Sequence, residues 1–290
     1  MLETRMKPRT NPFQKFVSAH ARLFRTGKQL PLGHPQKFPR RKRTPGAPNV
    51  LIFSPHPDDE CLVGGLALRL YREAKWNVVN VAVTLGGKTG RRVARLRELK
   101  NACDFLGFDL VSANLVNIHP ETQRQNRADW QKAVKAMTKV LVRSRPQVIF
   151  IPHGRDGHPT HIGTHQLVMD ALKTSPAGLE CYVVETEFWA PMTGPNLLVE
   201  SSVADVADLV AALACHAGEV RRNPYHARLP AWLMDNVRRG AELVGRPGGA
   251  APDFTFATVY RLQQWRAGKL RACLRAGRLV AAAKNPAGLF

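Results

Sequence analysis

Two short stretches concentrate the side chains that bind metals and move protons. The first, Pro55-His56-Pro57-Asp58-Asp59-Glu60, brings together one imidazole and three carboxylates. The second runs His153-Gly154-Arg155-Asp156-Gly157-His158-Pro159-Thr160-His161, with His165 one helical turn further on. Catalytic zinc usually takes three protein ligands from imidazole and carboxylate and keeps one position for water. His56 and Asp59 from the first stretch, with His161 from the second, supply such a set. A metal held there lowers the pKa of a bound water from about 15.7 toward ~7. Asp58, adjacent to a ligand but not needed as one, is placed to take a proton from that water. His158 is placed to stabilise an oxyanion or to protonate a leaving amine. The His161/His165 spacing makes His165 a competing third ligand, and both choices stand open at this level. Acidic residues after a strand also serve as helix caps, and a loop histidine is commonly an ordinary surface residue. It is the joint placement of the two stretches that favours a site.

The surrounding pattern supplies that placement. Val50-Leu51-Ile52-Phe53 reads as a buried strand, 60–74 as a helix, 78–85 as a strand, and 91–106 and 129–143 as helices. Trp130, Val134, Met137 and Leu141 keep the spacing of a core-facing helix. Val148-Ile149-Phe150-Ile151 is a second buried strand, followed by a helix beginning near His161 and a strand over 182–187. Strand and helix alternate, which predicts an α/β fold with a mainly parallel sheet and helices on both faces. Ligands bind such sheets beyond the carboxyl ends of the strands. Both chemical stretches directly follow a buried strand, so both meet that condition.

On these residues the span from Asn49 to about Tyr260 resembles the LmbE-like or PIG-L family of zinc-dependent de-N-acetylases. The fingerprint is an apolar strand ending in His-Pro-Asp-Asp-Glu, here His56 to Glu60, and a later His-Pro-Asp-His, here His158-Pro159-Thr160-His161. Val83-Thr84-Leu85-Gly86, Arg95-Leu96-Arg97-Glu98-Leu99 and Leu106-Gly107 are similar to intervening family regions. Cys215-His216-Ala217 sits where the family often has a helix ending in His before Ser-Gln. The resemblance implies a Rossmann-like fold, with zinc or another divalent metal on His56, Asp59 and His161. It further implies Asp58 as base, His158 as electrostatic or acid partner, Arg95 as a substrate contact, and a small N-acetylated amino-sugar conjugate as substrate. Three positions depart from the pattern: Thr160 stands where the family usually has Asp, Asp156 where some members have Tyr, and Gly218-Glu219 where Ser-Gln is usual.

The 290 residues carry 43 Lys+Arg against 22 Asp+Glu, a formal charge of +21. The excess lies at the ends: 1–46 hold 12 basic residues and 1 acidic, and 266–290 hold 6 basic and none acidic. The expected organisation is a basic arm and linker over 1–48, the deacetylase-like domain over 49–265, and a basic C-terminal helix or tail over 266–290. Within the arm, Asn11-Pro12 reads as a helix start, with Phe13, Phe16, Val17 and Phe24 on one face opposite Lys15, Arg22 and Arg25. The basic ends suit contact with an anionic membrane or polyanion, and a non-catalytic binding protein using them on the same scaffold is the rival function. Five dispersed cysteines argue against a disulfide framework, and no apolar run approaches the ~20 residues of a membrane span. A cytoplasmic protein, with peripheral membrane contact through its ends, is the expectation. Gly86-Gly87-Lys88-Thr89 resembles the end of a phosphate-binding loop, but Ala82 occupies the position of that motif's first glycine. Asn223 to His226 and Pro230 to Trp232 read as packed turn or pocket lining, and Arg238-Arg239 as a solvated helical face or an anion contact.

Overall fold

In β1 (Asn49–Ser54) successive side chains enter two different cores: Val50 and Ile52 join one apolar cluster, Leu51 and Phe53 the other. A strand buried on both faces needs helices on both faces, and the computed structural model, which describes residues 11–33, 40–245 and 248–290, has them. β1 pairs in parallel with β2 (Asn77–Thr84) and with β4 (Val148–Pro152); β2 pairs with β3 (Asp109–Leu115) and β4 with β5 (Cys181–Thr186). The resulting order, β3-β2-β1-β4-β5, is the Rossmann-like arrangement expected from the sequence. An antiparallel extension follows. β6 (Leu197–Ser201) and β7 (Phe256–Arg266) pair with each other, β7 pairs with β5, and β8 (Lys269–Ala272) folds back on β7. β9 (Arg278–Val280) closes the edge beside β6.

The helices divide between the two faces. α1 (Gln14–Gly27) precedes the sheet. α2 (Asp59–Leu62), α3 (Gly65–Arg72) and α4 (Arg92–Leu106) cover the first face, where Leu66, Leu99 and Leu106 are buried. After the short α5 (Pro120–Gln125), α6 (Arg127–Ser144) and α7 (Pro159–Thr174) cover the second face, and Trp130, Val134, Met137 and Leu141 are buried there as the spacing predicts. α8 (Val203–Ala214), the short α9 (Ala217–Arg222) and α10 (Tyr225–Leu243) return to the first face.

Three expectations need correction. The single helix over 60–74 is broken between α2 and α3 at Gly64, whose φ is +85°. Tyr260 causes the break: its hydroxyl donates to the Val63 carbonyl (2.8 Å) and accepts from the Leu66 N–H (3.3 Å), taking over bonds a continuous helix would make itself. The 266–290 segment is neither helix nor free tail, since β8 and β9 belong to the sheet. The buried Arg69 holds the chain just beyond β9, donating to the carbonyls of Ala282 (3.1 Å) and Lys284 (2.7 Å). Finally, the Arg40-Arg41-Lys42-Arg43 cluster is largely tied to the body. Arg40 and Arg43 pair with Asp109, while Arg41 donates to the Trp76 carbonyl (2.9 Å) and lies over the Tyr71 ring. Residues 1–10 and 34–39 of the expected arm lie outside the described residues.

Gly64→Ala should cost more than the roughly 1–2 kcal/mol of a left-handed non-glycine residue, because the added Cβ would also lie 2.6 Å from the Tyr260 hydroxyl and 2.4 Å from Thr258 Oγ1. Urea unfolding should show a lower midpoint with an unchanged slope.

Candidate active site

The two chemical stretches leave neighbouring strands. The chain leaves β1 toward α2 and α3 on one face, and leaves β4 toward α7 on the other. Diverging crossovers open a crevice between adjacent strand ends, the usual ligand position in open α/β sheets. There His56 Nδ1 lies 3.2 Å from His161 Nε2, and Asp59 Oδ2 lies 3.5 Å from the first and 3.4 Å from the second. An ion with bonds of ~2.1 Å in tetrahedral coordination separates its ligands by about 3.4 Å. The triangle therefore fits a metal ion without rearrangement. His158 is also close enough to His56 and His161 to form a set with them. Asp59 is the better third donor, because it brings a negative charge and because His158 Nδ1 already accepts the Thr160 N–H (3.2 Å).

His161 is oriented from behind. His161 Nδ1, buried and without a hydrogen bond, faces Asp156 Oδ1 at 3.5 Å, so the ring presents Nε2 to the triangle. Asp156 itself is fixed by the backbone N–H groups of His158 (3.0 Å) and Trp189 (3.1 Å). Its place behind His161 is a role the sequence did not assign. His158 caps α7, and because Nδ1 accepts from Thr160, its neutral ring carries the proton on Nε2. Burial, with His56 and His161 nearby, pushes the His158 pKa down to about 4. Burial also lowers that of His161. Burial opposes ionisation of Asp59, but His161 and His56 outweigh it and hold this carboxyl below its ordinary value.

Asp58 occupies a left-handed backbone conformation, φ +115°. Its N–H donates to Glu60 Oε2 (3.0 Å), and Glu60 Oε1 meets His216 Nε2 at 2.6 Å, with both side chains fully buried. The sequence singled out His216 by position alone; the structure shows it bracing the Asp58 loop from the junction of α8 and α9. Arg95 does likewise from α4. It donates to the Pro57 carbonyl (3.0 Å) and its Nη2 lies 3.9 Å from Asp58 Oδ1, across Gly86, where a Cβ would meet Arg95 Nη1 at 2.0 Å. Gly86 thus makes room for Arg95. Thr84 Oγ1 donates to the Pro55 carbonyl (2.7 Å), so the end of β2 also holds the loop. Burial and the neighbouring Asp59 push the Asp58 pKa up, with Arg95 opposing.

A cavity of about 1120 Å³ opens over these groups, lined among others by Lys88, Arg92, Trp189, Glu219, Tyr225 and Trp232. His165 does not join the cluster, because its Nδ1 donates to the Pro152 carbonyl (2.9 Å). Arg238 pairs with Asp235 and Glu242, and Arg239 with Glu187, so neither faces the site as a free cation.

Residues 51–172 match the profile of the PIG-L family, GlcNAc-PI de-N-acetylase. That match covers less than half of the chain. The 1D-myo-inositol 2-acetamido-2-deoxy-alpha-D-glucopyranoside deacetylase of Mycobacterium leprae is 30% identical over 164 residues, 46% of this chain and 53% of that protein. The chain thus spans about half the length of the curated relatives it matches. N,N'-diacetylchitobiose deacetylase from Pyrococcus horikoshii shares the fold over 91% of this chain and 96% of its own, with TM-score 0.55 and 15% identity. So does the 4-carboxy-2-hydroxymuconate hydratase GalB of Pseudomonas putida, over 74% and 95% of the two chains, with TM-score 0.55 and 18% identity. The matched span includes both chemical stretches, whereas His216 lies outside it.

His216→Ala should destabilise the protein by about 3 kcal/mol, because it strands the Glu60 carboxylate without its short partner. Denaturant unfolding against Cys273→Ser, a change at a half-buried cysteine bonded to the Leu262 carbonyl and not to this pair, is the measurement.

Proposed function

We propose that the protein is a metal-dependent de-N-acetylase acting on a small N-acetylglucosamine-type conjugate. The observation that carries this reading is the 3.2–3.5 Å triangle of His56 Nδ1, Asp59 Oδ2 and His161 Nε2 beside Asp58, beneath one cavity. The names of the relatives support the substrate class. Zinc suits the two-imidazole, one-carboxylate set, and another divalent ion can use the same donors. Such a metal, when bound, polarises the amide carbonyl and makes water a nucleophile at neutral pH.

The chain's own groups then have distinct tasks. Asp58 takes a proton from the attacking water. The His158 Nε2–H donates to the oxygen that becomes negative as the water oxygen bonds to the acetyl carbon. The proton that Asp58 has taken then passes to the nitrogen, the C–N bond breaks, and acetate and a free amine leave. Arg95 steadies the Asp58 loop and, as part of the cavity wall, reaches the substrate. The non-catalytic alternative gains nothing from the fold or from the relatives. Among the described residues no helix is long and apolar enough to cross a membrane.

Asp58→Ala should keep its metal and lose nearly all acetate release from an N-acetylglucosaminide panel. His56→Ala, Asp59→Ala and His161→Ala should each lose metal by elemental analysis. Full metal retention in the triple variant would refute the site, and turnover by Asp58→Ala at the wild-type rate would refute the base. Asp156→Asn should weaken metal binding by about 10–100-fold while leaving the fold intact, since it removes the carboxylate behind His161; competition with a chelating dye reads this directly.

A further inference from the structure

α1 is a helix with no buried residue. At about 100° per residue, Phe13, Phe16, Val17, Leu23 and Phe24 fall within a stripe roughly 120° wide. Among the described residues, only its C-terminal end packs on the body. Gly27 lies against Ala227 of α10, its carbonyl meets His226 Nε2 (3.1 Å), and Phe24 sits under Arg228. Beyond that contact the stripe runs into solvent, with Phe13 70%, Phe16 65%, Val17 62% and Leu23 68% exposed. Apolar exposure on that scale is expensive in water and calls for an occupant.

Charge identifies the occupant. Residues 11–33 hold Lys15, Arg22, Arg25 and Lys28 and no acidic residue. The same first turns of α10 that receive α1 also line the cavity through Tyr225, Arg228 and Trp232, so the helix lies beside the cavity mouth. On that mouth, Lys88, Arg92 and Arg228 make no ion pair among the described residues, and Trp189 (59%) and Val116 (49%) are exposed. A basic amphipathic helix next to a rim of cations and an exposed indole is the chemistry of interfacial binding to anionic lipid. A second protein copy would bring the same positive charge to a surface that already carries it.

We propose that α1 and the cavity rim dock together on an anionic bilayer, with Phe13, Phe16, Val17 and Leu23 entering the headgroup boundary and the cavity opening at its surface. The test uses the purified full chain in vesicle flotation, with phosphatidylcholine alone and with a phosphatidylcholine/phosphatidylglycerol mixture. The chain should float with the mixed vesicles, fail to float with the neutral ones, and lose binding as salt rises. The triple change Phe13→Ser, Phe16→Ser, Val17→Ser should lower the bound fraction roughly tenfold while leaving the thermal melt in place, because none of the three side chains is buried. A wild type that stays in solution, or a triple variant that floats as well as wild type, overturns the proposal. So does a dimer by light scattering that the triple variant abolishes, which would make a second copy the occupant. Flotation reads binding rather than turnover, so it stands or falls independently of the deacetylase reading.

Discussion

Two imidazoles and a carboxylate held within hydrogen-bond distance of one another, with one of the rings fully buried, form the constraint around which the rest is arranged. Left to itself such a cluster would be costly, since buried polar groups need partners and buried charges need compensation. The adjacency of β1 and β4 brings the groups together, but adjacency alone does not aim them. Aim comes from the surrounding bonds: Thr84 on the Pro55 carbonyl, Arg95 on the Pro57 carbonyl, Glu60 on the Asp58 N–H, and Asp156 behind His161. These supports arrive from β2, α4, α2 and the loop after β4. The cluster is therefore a property of the folded sheet and its helices, although its members occupy two short segments.

How much of this was legible in the sequence follows from the range of each interaction. The His56–Glu60 stretch could be read because strand, loop and carboxylates are contiguous, and because a buried strand announces itself by composition. The pairing of the two loops could be read because the strand-helix alternation implies a parallel sheet. The break at Gly64 could not, since its cause is the hydroxyl of Tyr260, far along the chain on β7. Similarly, β3 is half-exposed at the sheet edge and lacks the apolar run that marks β1 or β4, while β8 and β9 are short and basic. The bracing role of His216 was hidden for the same reason: the residue was visible, but its partner Glu60 could be known only from three-dimensional contact. Asp156 looked like a departure from a motif until its distance to His161 gave it a task.

Fold and chemistry separate along the same line. A sheet of this order accommodates a hydratase as readily as deacetylases, so the parallel core does not select a reaction. Selection lies in the loops at the strand ends and in what orients them. Thr160 illustrates this. Its side chain cannot do what an acidic residue would, yet its backbone N–H fixes His158 as an Nε2–H donor, a property of the helix start rather than of the side chain. A neutral N–H donor is the form that suits stabilisation of a developing oxyanion, and the Thr160 side chain plays no part in setting it.

The neighbouring carboxylates Asp58 and Asp59 make the final point about position. Two adjacent aspartates in one loop repel each other if their side chains converge, and they would then share one proton rather than divide two jobs. The left-handed backbone at Asp58 prevents convergence by turning the chain sharply between them. Asp59 reaches the imidazoles, whereas Asp58 lies toward Arg95. A non-glycine residue at φ +115° is strained, and such strain persists only where surrounding bonds over-determine it. The Glu60–His216 pair and the Arg95 clamp are those bonds. They keep the Asp58 carboxylate apart from the His56–Asp59–His161 triangle, and this separation requires partners drawn from α4 and from the α8–α9 junction.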